Sequence, residues 1–199
     1  VKPALLTVHD VGYNDIAALS EPTARRFAQQ FDLEPLIERH EGIFELPYLE
    51  KVKRTLRELE AGREFIVYAD TDINFAAHPY PADFLTKYWN YPFSLSWDVG
   101  GFCTAFYTVR NCPETLRLFR IWAALGYHDD HVLKEQTTLK LLTDNFAWVR
   151  HLLERIPESY VSNPDCKLKG TIAHHFWARA CGHGADRQAM LLHMARDFG

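Results

Sequence analysis

Apolar and polar positions change rhythm along this chain, and the changes separate strands from helices. Residues 3–8 (PALLTV) form a short apolar run that predicts a first buried strand, and 9–15 (HDVGYND) follow as a loop with Gly12 and Asn14 as turn residues. Residues 16–31 (IAALSEPTARRFAQQF) have a helical pattern in which Pro22 predicts an interruption or a fresh start at Ser20 or Glu21. Residues 33–39 (LEPLIER) read as a second strand. The next helix is plainer: Pro47 suits a first turn, Leu49, Val52, Leu56 and Leu59 share one stripe, and Gly62 suits the C-terminal end. Residues 64–69 (EFIVYA) are again a buried strand, and 83–89 lie within a short predicted helix. Residues 92–97 (PFSLSW) and 106–111 (FYTVRN) predict strands flanking 98–105 (DVGGFCTA), and Pro113 opens an amphipathic helix. Residues 132–145 predict another helix, 146–152 (FAWVRHL) and 171–176 (TIAHHF) late strands, and 185–198 a last helix. Strands alternate with helices through the first half. This predicts an α/β fold, one domain over residues 1–199 with a central, mostly parallel sheet flanked by helices.

Composition narrows the classes. The chain is 47% apolar and 14% aromatic, enough for a sizeable core. A net charge of -4 weighs against nucleic-acid or anionic-membrane binding through a general basic surface. No apolar run approaches the roughly 20 residues of a membrane-spanning helix, and no secretory leader pattern opens the sequence, which begins at Val1. Cys103, Cys112, Cys166 and Cys181 are scattered without a CxxC pair, as expected for reduced thiols in a cytoplasmic protein.

The apolar run 65–69 ends in two aspartates one residue apart, Asp70 and Asp72. In a parallel sheet, ligands bind beyond the carboxyl ends of strands. Two carboxylates this close repel each other and resist joint desolvation, and a bound divalent cation resolves both problems. The alternative is a solvated loop with a turn-forming aspartate.

The surroundings of the pair carry a resemblance. Residues 50–75 (EKVKRTLRELEAGREFIVYADTDINF) resemble the basic helix, apolar strand and D-x-D segment of nucleotide-sugar-dependent glycosyltransferases of the GT-A fold. Residues 100–122 (GGFCTAFYTVRNCPETLRLFRIW) are similar to that family's acceptor-side segment. Residues 129–142 (DDHVLKEQTTLKLL) are similar to its D-Q-x-x-L helix, with Glu135 where Asp is commoner, and 170–177 (GTIAHHFW) to the strand that delivers a metal-binding histidine. The ordered set covers most of residues 1–180, with retaining, galactosyltransferase-like branches nearest. Residues 176–184 depart from it, lacking the Lys-Pro-Trp or Ser-Trp ending of some branches, with Arg179 as a substitute phosphate contact. No long acceptor-binding extension is present.

The resemblance implies roles. Asp72 would bind Mn²⁺ most directly, with Mg²⁺ possible, and Asp70 would share the metal and reach the ribose. His174 or His175 would be the third ligand. Strand alternation allows only one of the two to reach the metal, and His174 is slightly favoured. Lys51 would face the donor, its alternative being a solvated helix lysine. Asp98, Gly100 and Gly101 match a loop on the donor sugar. Tyr13, beside Thr7 and Asp10, would stack on the base or else anchor packing. Gln136 would lie near the reacting carbon, its amide oxygen facing the developing charge, with Glu135 in support. The implied reaction moves a sugar from a UDP- or GDP-sugar donor to a carbohydrate or glycoconjugate acceptor, with retention.

Competing readings are a GT-A-like module that binds nucleotide sugar without transfer, and a metal-dependent hydrolase built on His128 and His131. Asp129 or Asp130 there also reads as a helix N-cap. His174, His175, Cys181 and His183 fit no common zinc ribbon or finger.

Overall fold

The computed structural model describes residues 1–42, 44, 46–76, 80–81, 83–98, 101–126, 134–157, 160–162, 173–175, 191 and 194–195. Its frame is a six-stranded sheet built from β1 (Ala4–Asp10), β2 (Glu34–His40), β3 (Phe65–Ala69), β5 (Phe93–Asp98), β6 (Gly101–Arg110) and β7 (Leu153–Ile156) in the order β2-β1-β3-β6-β5-β7. β1 runs parallel to β2 and β3, β6 antiparallel to β3 and β5, and β7 parallel to β5. Five strands therefore share one direction and β6 alone opposes them. A second, small sheet joins β4 (Ile73–Phe75), β8 (Val161–Ser162) and β9 (Ala173–His175) in the order β4-β9-β8.

The sheet has a core on each face. Along β3, Phe65, Val67 and Ala69 pack with Phe27, Phe75, Phe84 and Tyr88 on one face. Ile66 and Tyr68 pack with Val52, Phe93, Tyr107, Phe119 and Trp122 on the other. All five β3 residues are buried, which is why this strand reads as an unbroken apolar run rather than an alternation. α1 (Asn14–Gln30) and α3 (Phe84–Trp89) supply side chains to the first core. α2 (Pro47–Glu60), α4 (Pro113–Leu125), α5 (Lys134–Asn145) and α6 (Ala147–Leu152) supply the second.

Three elements differ from the pattern-based expectation. α1 continues through Pro22, because the ring sits on the exposed face while Ile16, Ser20, Thr23, Ala24 and Phe27 are buried along the other. Tertiary packing outweighs the lost helix bond. The predicted strand at 146–152 is helix α6, with Val149 and Leu152 buried, and the strand follows as β7. β6 begins at Gly101, earlier than expected, so most of the presumed loop is strand. Of the last predicted helix, Leu191, Met194 and Ala195 are helical, and Met194 packs on Ile16; the rest lies outside the described residues. Among the described residues, no helix is long and apolar enough to cross a membrane.

His9 is buried in β1. Burial pushes its imidazole below the ordinary 6.5, Arg39 on β2 adds to this, and Glu21 on α1 and Asp10 oppose it. The fold thus prefers the neutral ring, and the unfolded chain takes up the proton first. The contribution of His9 is fully present above about pH 6.5 and is lost as pH falls below it. His9→Gln is expected to flatten the loss of stability between about pH 6.5 and 5, relative to wild type, in urea midpoints measured across that range. An undiminished slope in the variant would assign the pH dependence to other groups.

Candidate active site

Because β1, β3 and β5 run the same way, their carboxyl ends share one edge, and the reversed β6 brings its start to that edge as well. The segment leaving β3 is held there by backbone bonds from Asp70 N to Ala105 O (2.8 Å) and from Ile73 N to Asp70 O (3.0 Å). Thr71 Oγ1 donates to Val8 O at 3.1 Å, tying the turn to β1. Residues 73–75 then pair antiparallel with β9, Ile73 opposite His175 and Asn74 opposite His174.

That register selects between the two histidines. His175 lies beside the residue that follows Asp72, and its Nε2 is 3.7 Å from Asp72 Oδ1. One ligand atom each from Asp70, Asp72 and His175 lie within 4.8 Å of one another. Among the described residues His175 thus completes the cluster; the side chain of the slightly favoured His174 lies outside them. Burial raises the Asp72 carboxyl above its ordinary range while His175 opposes the rise. Burial likewise disfavours the charged imidazole, but Asp72 outweighs it, with a contribution from the Cys103 thiol within hydrogen-bonding reach, and His175 rises to about 9. Two carboxylates and an imidazole at this spacing form a donor set that fits a divalent cation of the Mn²⁺ class.

Behind the cluster lies a network that the sequence did not reveal. Lys51 on α2 is 5% exposed. Its Nζ is 3.0 Å from Asp70 Oδ2, 3.2 Å from Glu135 Oε1 and 3.4 Å from Thr104 O. Burial alone would depress its pKa, but Asp70 and Glu135 outweigh that and hold it above the ordinary lysine range. Tyr68 OH donates to Asp70 Oδ1 at 2.8 Å; burial first, then Asp70, keeps this phenol protonated well above its usual range. Both oxygens of Asp70 are therefore anchored.

Glu135 and Gln136 open α5. Thr104 Oγ1 donates to Glu135 Oε1 at 2.6 Å, and Thr104 N donates to Gln136 Oε1 at 3.2 Å. A backbone N–H needs an acceptor, which fixes which end of the Gln136 amide faces β6. The amide oxygen expected to face the sugar accepts this bond from β6.

The remaining expected residues are placed as follows. Asp10, at the end of β1, accepts from Gly12 N at 2.8 Å and Phe44 N at 3.0 Å, so it ties together the loops after β1 and β2. Tyr13 lies in the short turn after β1 and is 43% exposed. Thr7 lines a small pocket with His9, Ser20, Glu21, Asp70 and Thr71, and Thr7 Oγ1 and His9 Nδ1 are buried without a hydrogen-bond partner among the described residues. Gly101 has φ +116°, a conformation that side chains resist, and it directly follows the β5–β6 turn. Asp98 ends β5 opposite Gly101. Its side chain, Gly100, Arg179, Cys166, Cys181 and the His128–His131 cluster lie outside the described residues; Cys103 and Cys112 are free thiols.

No protein-family model matches the sequence, and no curated protein matches it. Solved structures do. The chain is similar over 98% of its length, and 100% of the other chain, to a glycosyltransferase involved in the glycosylation of the major capsid of PBCV-1, with a TM-score of 0.73 at 12% identity. It is also similar to the glycosyltransferase GlyE of Streptococcus pneumoniae TIGR4. The apo form gives a TM-score of 0.63 at 9% identity over 100% of this chain, and a second GlyE structure gives 0.60 at 10% over 99%. The chain spans 61% and 62% of those two GlyE chains. At such identities the likeness is one of architecture: the chain has a GT-A-like glycosyltransferase fold.

Proposed function

We propose that this chain transfers a sugar from a UDP- or GDP-sugar to a carbohydrate or glycoconjugate acceptor, with a divalent cation held by Asp70, Asp72 and His175 and with retention of configuration. The observation that carries this reading is the convergence of those three side chains within 4.8 Å at the strand-end edge of a glycosyltransferase fold. Mn²⁺ suits the donor set, and Mg²⁺ is admissible. A cation so held neutralises charge on the departing diphosphate.

The chain's own residues do the rest. Lys51 and Tyr68 fix both oxygens of Asp70, leaving its remaining lone pairs as ligands. Asp10 holds the loop that carries Tyr13, which stacks on the base. Gly101 lets the backbone approach the sugar closely, beside Asp98 and Gly100. Glu135 is committed to Lys51 and Thr104, so it is a poor nucleophile. The reaction then follows a front-face path in which the leaving diphosphate takes the proton of the acceptor hydroxyl. Gln136, its oxygen held by Thr104, donates through NH₂ to an oxygen of the sugar or acceptor and orients it.

Asp72→Ala is expected to keep its thermal midpoint close to wild type and to lose Mn²⁺-dependent binding of UDP or GDP, measured by calorimetry. Unchanged Mn²⁺-dependent affinity would remove the metal assignment. His175→Ala should weaken Mn²⁺ binding at least about tenfold while His174→Ala does not; the reverse order would transfer the ligand role to His174.

Gln136→Ala should lower donor turnover roughly 100-fold with little change in donor affinity. Wild-type turnover in that variant, or an inverted anomer from the native protein, would reject the front-face path. Donor binding without any hydrolysis or transfer would mark a nucleotide-sugar-binding module instead.

A further inference from the structure

An ammonium group has three N–H donors. Lys51 Nζ donates to Asp70 Oδ2 at 3.0 Å and to Thr104 O at 3.4 Å, and forms an ion pair with Glu135 Oε1 at 3.2 Å. The side chain is buried, its charge is balanced by two carboxylates, and the Tyr68 ring lies 5.7 Å from Nζ. A lysine so buried, hydrogen-bonded to Asp70 and Thr104 and ion-paired with Glu135, is committed to the protein rather than to a phosphate or a sugar hydroxyl. It does connect three elements of the site: the end of β3 that carries the D-x-D pair, the start of β6, and the first turn of α5 that carries Gln136.

We propose that Lys51 is a positioning residue that locks Asp70 to Glu135 and thereby sets the distance between the metal-binding pair and Gln136, without touching the donor. Thr104 completes the lock, because its hydroxyl holds Glu135 and its N–H holds the neighbouring Gln136. Trp122 Nε1 donates to Glu135 O at 3.0 Å and fixes the backbone of the same turn from α4. The site therefore depends on a buried carboxylate–ammonium–carboxylate bridge. A lysine that binds the donor directly would instead have a proton facing the cleft.

The role rests on the sugar-transfer reading above, and the experiment separates the two. Lys51→Met alone leaves the buried Glu135 carboxylate without its cation and Asp70 nearby, and is expected to fold poorly. The double variant Lys51→Met/Glu135→Gln removes one cation and one anion together, and Glu135→Gln alone keeps Lys51 paired with Asp70. Both are compared with wild type for thermal midpoint, for the Mn²⁺ electron paramagnetic resonance spectrum, for UDP and GDP affinity with Mn²⁺, and for donor turnover. The expected result is turnover lowered about 100-fold in the double variant and about tenfold in Glu135→Gln, with nucleoside-diphosphate affinity within about threefold of wild type in both. The Mn²⁺ spectrum should change in the double variant, where Asp70 has lost one of its two anchors, and not in Glu135→Gln. Affinity weakened about tenfold or more with turnover kept would overturn the proposal, since Lys51 would then be a donor contact. Wild-type turnover and spectrum in both variants would also overturn it. Failure of the wild-type protein to bind either nucleoside diphosphate with Mn²⁺ would overturn the sugar-transfer reading along with it.

Discussion

A positive charge buried between two negative ones organises the functional edge of this fold. Taking the Lys51 ammonium out of water is unfavourable by several kcal/mol. It is held there because two carboxylates, Asp70 and Glu135, lie at 3.0 and 3.2 Å from it and Thr104 O also accepts from it. Such a bridge adds little net stability over an apolar replacement. Breaking it from one side is a different matter, costing about 3–5 kcal/mol, because a carboxylate is then left buried and uncompensated. The steep penalty is what makes the geometry singular. α2, the end of β3, the start of β6 and α5 must all be in place at once for the charge to be satisfied, and Asp70 and Gln136 lie on or directly after two of those elements.

The strand directions make this possible. If β6 ran with its neighbours, its carboxyl end would face the donor edge and Gly101–Thr104 would lie at the far side of the sheet. Its reversal brings Thr104 next to Asp70, where one residue uses its N–H on Gln136, its hydroxyl on Glu135 and its carbonyl on Lys51. Asp10 performs a similar service on the opposite flank, where two loops share one carboxylate. Both are short side chains on strand ends bonding to backbone or to fixed neighbours, which favours precision over adaptability.

How much of this was legible in the sequence follows from the range of each interaction. The apolar run 65–69 followed by Asp70 and Asp72 is local, and both the strand and the carboxylate pair could be read from it. Pro113 and Gly62 marked helix ends for equally local reasons. The 146–152 segment was misread as a strand because its aromatic and β-branched residues fit either pattern, and a run that short is decided by packing. Lys51 was invisible as a buried group. Its place on the helix before the D-x-D strand suggested a residue facing the donor, with a solvated helix lysine as the alternative, and neither reading contains its burial beside Glu135, 84 residues away in the chain. The partner of the Gln136 oxygen sits 32 residues earlier in the chain, and no spacing rule reaches across that gap.

The choice between the adjacent histidines shows where sequence reasoning necessarily stops. Alternation along a strand implies that only one of His174 and His175 can face the carboxylates. It cannot say which, because the answer is a register and not a property of either residue. In the small sheet, Ile73 lies opposite His175 and Asn74 opposite His174. A slip of one residue would exchange the two side chains between faces and would carry every other side chain of the strand with it. The register is held by burial: Ala173, Ile73 and Phe75 are all inside the core, with Phe75 stacked on Phe27 at 4.2 Å, and Phe75 N bonded to Thr23 Oγ1 on α1. The third member of the candidate metal cluster is therefore selected by apolar packing along its own face of the small sheet, where Ala173 is two residues before it and Ile73 lies opposite it. A chain can preserve that packing with very different residues, because volume and pattern rather than identity hold a core together.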